Sequence, residues 1–362
     1  MNFPHLESAE RTDTGRRRRN NEDAVLRLSE HGLFCVADGM GGAAAGELAS
    51  QAAVNTLRRG FLELPAEAPA YPGLNTRIRL TSHLLDEASR WIRGRAEEMG
   101  VSGTGTTVVV LLFDAWHPSQ GVCLHAGDSR VYVYRDSHFT QVTRDHSVAA
   151  AAGVSDEMSL PAFFRGVVTR AVGLDEHVDL EITPVEVHPG DLFLLCSDGL
   201  TKMLTDAAIA KLLKKQVGAA DFDGLAQRLV DAANAAGGED NVSVVLVRVA
   251  DTLPADRRGT PEAAVPGMNT VILTSGSDGA SNRWHVPANE PHTPITARRP
   301  TAGGGFSGCT PVSAPASDDP PTPVTAHDPQ AGRNEVAKGA RVSGWHLLLR
   351  AMFGKRPPSA AK

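Results

Sequence analysis

Acidic residues recur beside strand-like apolar runs along the first 250 residues of this chain. The five positions are Glu22-Asp23, Asp38, Asp128, Asp198 and Asp240, and at four of them the adjoining run is long. Because buried strands can bring their ends together at one sheet edge, carboxylates gathered there would repel one another unless cations neutralised them. Clusters of oxygen ligands suit hard divalent ions such as Mg²⁺ or Mn²⁺. The pattern therefore predicts a divalent metal site.

Each acidic position also has a plainer interpretation. Asp-Gly is a common turn dipeptide, and an Asp at a strand end usually caps a turn. For any single position this interpretation is favoured. The joint occurrence favours the metal site, because Asn, Ser or Gly would serve a turn equally well.

A run of four arginines, residues 16–19, stands just ahead of Glu22-Asp23. A basic patch for nucleic acid is one interpretation. However, the residues before 251 carry 24 Lys and Arg against 33 Asp and Glu, and this acidic balance argues against non-specific nucleic-acid binding. The planar fork of arginine matches phosphate oxygens bidentately. One arginine of the run is therefore predicted to meet an oxyanion.

The acidic positions and the arginine run belong to a series of short segments that follow one another in a set order. These segments are Arg18 with Asn21-Glu22-Asp23, Asp38-Gly39-Met40-Gly41-Gly42, Gly103-Thr104-Gly105-Thr106-Thr107, Gly127-Asp128-Ser129-Arg130, Asp145-His146-Ser147, Ser197-Asp198-Gly199 and Gly238-Glu239-Asp240-Asn241. Taken in this order, they resemble the bacterial branch of the PPM (type 2C) family of metal-dependent Ser/Thr protein phosphatases. The resemblance covers about residues 8–250, and although single segments are weak, the ordered set is specific.

The resemblance implies a role for each carboxylate. Asp38 would bridge two ions, Mn²⁺ or Mg²⁺, with the backbone oxygen of Gly39 on one of them. Asp198 and Asp240 would complete the other. A third ion would rely on Asp128, but Lys202 stands where the family has a further acid, so third-metal binding is expected to be weaker.

The resemblance also implies the groups around the metals. Glu22 and Asp23 would hold metal-bound waters. Arg18 would bind the phosphate of a phosphoserine or phosphothreonine. His146 is a weaker candidate, for a general acid, since a lone His at a strand end is more often structural.

The implied activity is hydrolysis of phosphorylated proteins by a metal-activated water, opposing a cognate bacterial Ser/Thr kinase. A non-catalytic domain that binds phosphoproteins is one alternative, but such a binder needs no metal set. A metal phosphoesterase acting on small molecules is another. Residues 150–166 match the family's variable flap and argue mildly against it.

Apolar patterns of two periods alternate through the first 250 residues. Helical stripes cover residues 46–61, 74–99, 207–217 and 222–236, and strand-like runs cover 108–113, 122–126, 131–134, 192–196 and 242–249. Strands follow one another in pairs, which favours antiparallel hairpins, and several lack alternation, which favours cover on both faces. We predict an α+β fold in which two face-to-face antiparallel β-sheets are flanked by helices, an α/β/β/α sandwich.

The chain changes character near residue 251, since 15 of its 23 prolines lie in residues 254–358. We predict a phosphatase domain over residues 1–250, a disordered Pro-rich linker over 251–340 and a short basic amphipathic segment over 341–362. This last segment could contact a membrane surface or a partner groove, and a sticky unstructured tail is an equal alternative.

The cysteines Cys35, Cys123 and Cys196 lie inside apolar runs, and the chain has no CxxC pair. They are predicted to be reduced core residues. The first residues lack a signal-peptide pattern, and no apolar run approaches the ~20 residues of a membrane span. We therefore expect a cytoplasmic monomer.

Overall fold

The structure, a computed structural model, describes residues 3, 5–65, 71–154, 157–214 and 221–257. The chain divides into two compact units, and all of the described residues belong to the first of them, Met1–Val286. The predicted terminal segment over 341–362 and the linker from residue 258 onward lie outside the described residues.

Antiparallel strands form two sheets in the described part of the chain. One sheet has the order β1-β11-β10-β7-β8, and the other has the order β2-β3-β5-β6-β9, with β4 paired to β3. The strands are β1 Leu6–Asp13, β2 Asp23–Leu28, β3 Leu33–Met40, β4 Gly105–Thr106, β5 Val108–Phe113, β6 Gln120–Ala126, β7 Arg130–Arg135, β8 His138–Gln141, β9 Glu181–Glu186, β10 Leu192–Cys196 and β11 Val242–Val249.

Helices cover the outer faces of both sheets. They are α1 Ala43–Leu62, α2 Leu74–Met99, α3 Val148–Ala152, α4 Asp198–Thr201, α5 Asp206–Lys214 and α6 Phe222–Ala235, with short 3-10 turns at Ser29–His31, Glu157–Ser159 and Ala162–Phe164. Local sequence explains the helix ends. The Asp221 carboxylate accepts from the Gly224 N–H at the start of α6, and Gly100, in the left-handed region at φ 67°, ends α2.

Three apolar layers hold the sandwich together. α1 and α2 pack on the β2–β9 sheet, and α5 and α6 pack on the β1–β8 sheet. The layer between the sheets contains Phe34, Phe113 and Phe193, which are fully buried and meet edge to face, with ring centroids 5.9 and 5.5 Å apart. Burying each such ring stabilises the fold by about 1.5–3 kcal/mol. The predicted α/β/β/α sandwich is confirmed.

The sequence analysis missed the two-residue strand β4 and the three edge strands β1, β8 and β9. β1 is an edge strand in which Ala9 is the buried residue, and β9 is an edge strand that carries Pro184. Edge strands need neither a continuous apolar run nor every backbone donor, so their sequences lack the usual signal. Cys35, Cys123 and Cys196 are buried and free, as predicted.

Residues 251–257 still contact the sheets. Leu253 packs partly buried against the layer between them, and the Arg257 N–H donates to the Trp116 carbonyl over 3.0 Å. Among the described helices, none combines the length and the apolarity that crossing a bilayer requires.

Candidate active site

A cavity of about 260 Å³ opens where strand ends of the two sheets meet. The residues predicted to act in the site line it, except Asp23, which lies buried at the start of β2, and the weaker candidate His146. The charged residues and the backbone ligand in the lining are Arg18, Glu22, Asp38, Gly39, Asp128, Asp198, Lys202 and Asp240. The fold therefore gathers acids from five separate positions along the chain.

Asp38 lies near the end of β3, directly opposite Asp23 in the register of β2 and β3. Its carbonyl accepts from the Thr107 N–H over 2.8 Å and from the Thr106 hydroxyl over 2.9 Å, while its own N–H donates to the Thr107 hydroxyl over 3.2 Å. These bonds fix the backbone of Asp38, so its carboxylate faces the cavity on a rigid strand.

Asp23 connects the two sheets beneath the cavity. Its Oδ2 accepts a 2.7 Å hydrogen bond from the hydroxyl of Ser197, which follows β10 in the other sheet. Its Oδ1 is buried and has no hydrogen-bond partner. Burial raises the pKa of Asp23 to about 7, although bonds from Ser243 and Ser197 work against the rise.

Asp198 and Asp240 come from the other sheet. Asp198 opens α4 directly after β10, and Asp240 stands just before β11, where its Oδ1 accepts from the Asn241 N–H over 2.9 Å. β10 and β11 are paired neighbours, so both carboxylates meet at one sheet edge. Asp198 Oδ1 is buried without a partner.

Asp128 lies in the turn where the chain passes from β6 in one sheet to β7 in the other. Gly127 makes this turn in the left-handed region, at φ 115°, and its N–H donates to His146 Nδ1 over 3.3 Å. Burial and the nearby Asp198 charge raise the pKa of Asp128 to about 7, while Lys202 lowers it.

Two cationic side chains touch the acids. Lys202 Nζ lies 2.5 Å from Asp198 Oδ2 and 3.3 Å from Asp240 Oδ2. Arg18 Nη2 lies 2.8 Å from Asp240 Oδ1, and its Nη1 lies 3.8 Å from Glu22 Oε1. Arg16, by contrast, pairs with Asp13 at 3.9 Å. Arg18 is thus the member of the arginine run that lines the cavity.

The carboxylates outnumber these two cations. Their mutual repulsion and their burial raise the pKa values of several of them. Burial, then the charges of Asp23, Asp198 and Asp128, hold the pKa of Asp38 well above its ordinary value. Burial likewise raises the pKa of Glu22, partly offset by Arg18. Crowded carboxylates with two buried unpartnered oxygens fit hard divalent cations, which would satisfy the oxygens and restore the ionised forms.

Two glycines allow the close packing at the cavity floor. The Gly39 N–H donates to the Glu22 carbonyl over 3.1 Å, and a Cβ at Gly39 would lie 2.1 Å from the Gly46 carbonyl oxygen. A Cβ at Gly46 would lie 2.1 Å from Glu22 Oε2. Larger residues at these positions would separate β3 from the start of α1.

Sequence reasoning did not give a role to Asn241. Its Oδ1 accepts from the Glu22 N–H over 2.8 Å, and its Nδ2 donates to the carbonyls of Thr14 and Asn20 over 2.9 and 2.8 Å. One buried side chain therefore fastens the loop that carries Arg18 to β11. The only signal in the sequence was its place directly after Asp240.

A second group of potential ligands lies outside this cavity, formed by His125, His146 and Glu181. The two rings stack with centroids 4.4 Å apart and planes 8° apart, so their in-plane lone pairs run parallel and do not converge. Arg170 Nη1 also lies 3.3 Å from His146 Nε2, where a metal would have to sit. This group is therefore a structural network in which both rings are buried and Glu181 is half-buried, and His146 is not part of the cavity lining.

Comparisons with known proteins place the chain among phosphatases. A family model described as Protein phosphatase 2C matches residues 14–233. Serine/threonine phosphatase stp of Listeria innocua is 34% identical over 245 residues, covering 66% of this chain and 93% of the relative.

Solved structures agree. The structure of PppA, a key regulatory component of T6SS in Pseudomonas aeruginosa, superposes with a TM-score of 0.58 at 35% identity, covering 68% of this chain and 99% of that one. The catalytic domain of serine threonine protein phosphatase PstP, solved in complex with two manganese ions, gives a TM-score of 0.56 at 33% identity, with 68% and 99% covered.

Proposed function

The chain belongs to the protein phosphatase 2C family, and we propose that it removes phosphate from phosphoserine and phosphothreonine in proteins with the help of Mn²⁺ or Mg²⁺. One observation carries the proposal. Asp38, Asp198 and Asp240 converge on a single cavity together with Arg18, although they are far apart in the sequence. A cluster of carboxylates alone would bind only cations. The guanidinium of Arg18 adds a group that binds phosphate.

Within this proposal, two divalent ions are held by the carboxylates that the fold crowds together. Asp38, the Gly39 carbonyl, Asp198 and Asp240 would supply the oxygen ligands to these ions. Glu22 and Asp23 would not bind the ions directly but would hold the water molecules that coordinate them. When bound, the ions neutralise the carboxylates, draw charge from the phosphoryl oxygens and acidify water enough for in-line attack on phosphorus.

Arg18 has a separate task. In this structure its guanidinium neutralises Asp240 and Glu22, at 2.8 and 3.8 Å. Once bound divalent ions neutralise those carboxylates, the guanidinium is free to bind the phosphoryl oxygens of the substrate. Its position on a loop tied down by Asn241 keeps it at the cavity rim, with 45% of its side chain exposed.

The flap segment, residues 150–166, favours a protein as the substrate. Gly166 and Val168 line the cavity, and Phe163 projects into solvent with 70% of its surface exposed. The Arg165 guanidinium donates to the carbonyls of Leu160 and Met158, both over 2.9 Å, and so holds the flap in shape. The exposed apolar side chain of Phe163, three residues before Gly166, offers a contact for peptide flanking the phosphorylated residue.

Phosphoprotein substrates imply a kinase that makes them, and we propose a cognate bacterial Ser/Thr kinase as the opposing enzyme. We also propose that the phosphatase domain acts as a monomer in the cytoplasm. The retained arginine and metal ligands favour catalysis over a non-catalytic phosphoprotein-binding role.

Phosphate release from matched peptides that differ only in phosphothreonine, phosphoserine or phosphotyrosine tests the substrate class. We expect kcat/KM for the two aliphatic phosphoesters to exceed that for phosphotyrosine and for a small aryl phosphate. Equal rates on the peptides and the small ester would favour the small-molecule phosphoesterase instead.

A further inference from the structure

Lys202 is the cation most closely engaged with the acidic cavity. Its Nζ lies 2.5 Å from Asp198 Oδ2 and 3.3 Å from Asp240 Oδ2, so one ammonium bridges two carboxylates that flank the paired strands β10 and β11. The proposed function assigns both carboxylates to divalent ions. The lysine side chain is 44% exposed, whereas those of Asp198 and Asp240 are 15% and 17% exposed. The ammonium therefore covers the pair from the solvent side.

The backbone holds this contact in place. Lys202 follows α4 directly, and its N–H donates to the Asp198 carbonyl over 2.7 Å. A spacing of four residues in helical conformation sets the two side chains on one face, where a Lys and an acid pair favourably. The ammonium is thus delivered to the carboxylates by the same turn that positions Asp198.

An ammonium and a divalent ion cannot share these oxygens without cost. Mg²⁺ coordinates an oxygen ligand at about 2.0–2.1 Å, which places the ion within a few ångströms of the present Nζ. A double and a single positive charge at that separation repel strongly in a partly buried site. Asp198 Oδ1 is buried and has no hydrogen-bond partner, so this oxygen has no hydrogen bond to lose when an ion binds the carboxylate.

We propose that Lys202 is a tethered counter-cation, which stabilises the metal-free chain by bridging Asp198 and Asp240 and is displaced when a divalent ion binds them. The inference rests on the proposed metal set. It adds that the Lys202 ammonium competes with divalent ions for the carboxylates of Asp198 and Asp240. Arg18 does not fill the same role, because within the described residues its guanidinium pairs with Asp240 and Glu22 and not with Asp198.

Mn²⁺ titration calorimetry and thermal unfolding of the full chain test this inference. The variants are Lys202→Met, which removes the charge and keeps the length, Lys202→Arg, which keeps the charge, and Lys211→Met, which removes an exposed lysine from α5. Because competition is a negative coupling between the two cations, Lys202→Met should bind Mn²⁺ about tenfold more tightly. Its Tm in EDTA should fall below that of the unaltered chain, while its Tm with saturating Mn²⁺ should not.

Lys202→Arg should resemble the unaltered chain in both measurements. If Lys202→Met unfolds in EDTA but folds with Mn²⁺, the proposal is supported, because the ion then replaces the missing cation. It is overturned if Lys202→Met matches Lys211→Met in Mn²⁺ affinity and in Tm under EDTA. If the unaltered chain binds no Mn²⁺ and gains no stability from it, the metal set itself is wrong, which is a different result.

Discussion

Arg18 has one set of partners in the structure and a different partner in the proposed reaction. The structure places its guanidinium on Asp240 and Glu22, and the proposed function gives it the substrate phosphate. The sequence could identify an oxyanion-binding arginine in a run of four, and the register relative to Glu22-Asp23 selected Arg18. The contact with Asp240 could not be predicted, because it depends on how the loop folds across β11.

Replacing Arg18 with Ala should mainly raise KM for a phosphothreonine peptide. A charged hydrogen bond to phosphate contributes about 1.5–3 kcal/mol, so kcat/KM should fall by roughly 10–150-fold. Steady-state kinetics of Arg18→Ala beside Arg17→Ala provides the matched control, since Arg17 is exposed on the same loop. A KM effect in Arg17→Ala and none in Arg18→Ala would show that the register is shifted by one residue.

At the scale of elements, apolar runs were enough to locate the central strands and the long helices. The stripe over residues 74–99 coincides with α2, Leu74–Met99, and the final strand was predicted as Val242–Val249, as found. What the sequence did not contain was the cross-linking between elements. Ser197 reaches Asp23, and Asn241 reaches three loop groups, through contacts between residues far apart in the chain.

Asn241→Ala should loosen the loop between β1 and β2. The change removes three hydrogen bonds and leaves the Glu22 N–H buried without a partner, so the free energy of unfolding should fall by about 1–3 kcal/mol. KM for the phosphopeptide should rise as well, because Arg18 is carried on that loop. Urea unfolding and kinetics should show little change in the control Asn55→Ala, whose side chain is exposed on α1.

The His125–His146–Glu181 network should make the fold sensitive to acid. Burial and the neighbouring His125 lower the pKa of His146 to about 4, and its Nδ1 accepts a hydrogen bond from Gly127. Since the folded chain binds fewer protons at His146 than the unfolded chain does, this stability is complete above about pH 6.5 and is lost as the pH falls toward 4. The loss should be roughly 3 kcal/mol over that interval.

The measurement is the free energy of unfolding across this pH range for the unaltered chain and for His146→Gln. The difference between the two proteins should shrink as the pH falls, because the variant has no group to protonate at this place. Parallel profiles would mean that His146 does not titrate as the structure indicates.

At the scale of the whole molecule, the change in composition near residue 251 predicts the end of the globular part, and this boundary stays a prediction. The contacts of Leu253 and Arg257 with the sheets make Arg257 the better end point for a shortened chain. The predicted disorder and membrane or partner contact of the later segments stay predictions, because these residues lie outside the described part.

A chain ending at Arg257 should fold and keep its phosphopeptide turnover, since every cavity residue precedes that point. The full chain should sediment with anionic vesicles more than the shortened one, because residues 341–362 combine apolar and basic side chains. A shortened chain that folds but loses turnover would give the tail a part in catalysis, and equal vesicle binding would leave the terminal segment without this role.

The central claim is that the gathered carboxylates hold catalytic divalent ions. Phosphate release from a phosphothreonine peptide, measured after chelation with EDTA and again with added Mn²⁺, tests it most directly. The account predicts negligible release in EDTA, restoration by Mn²⁺, and loss of nearly all turnover in Asp38→Ala but not in the exposed control Asp231→Ala. Full turnover in metal-free buffer, or an active Asp38→Ala enzyme, would contradict it.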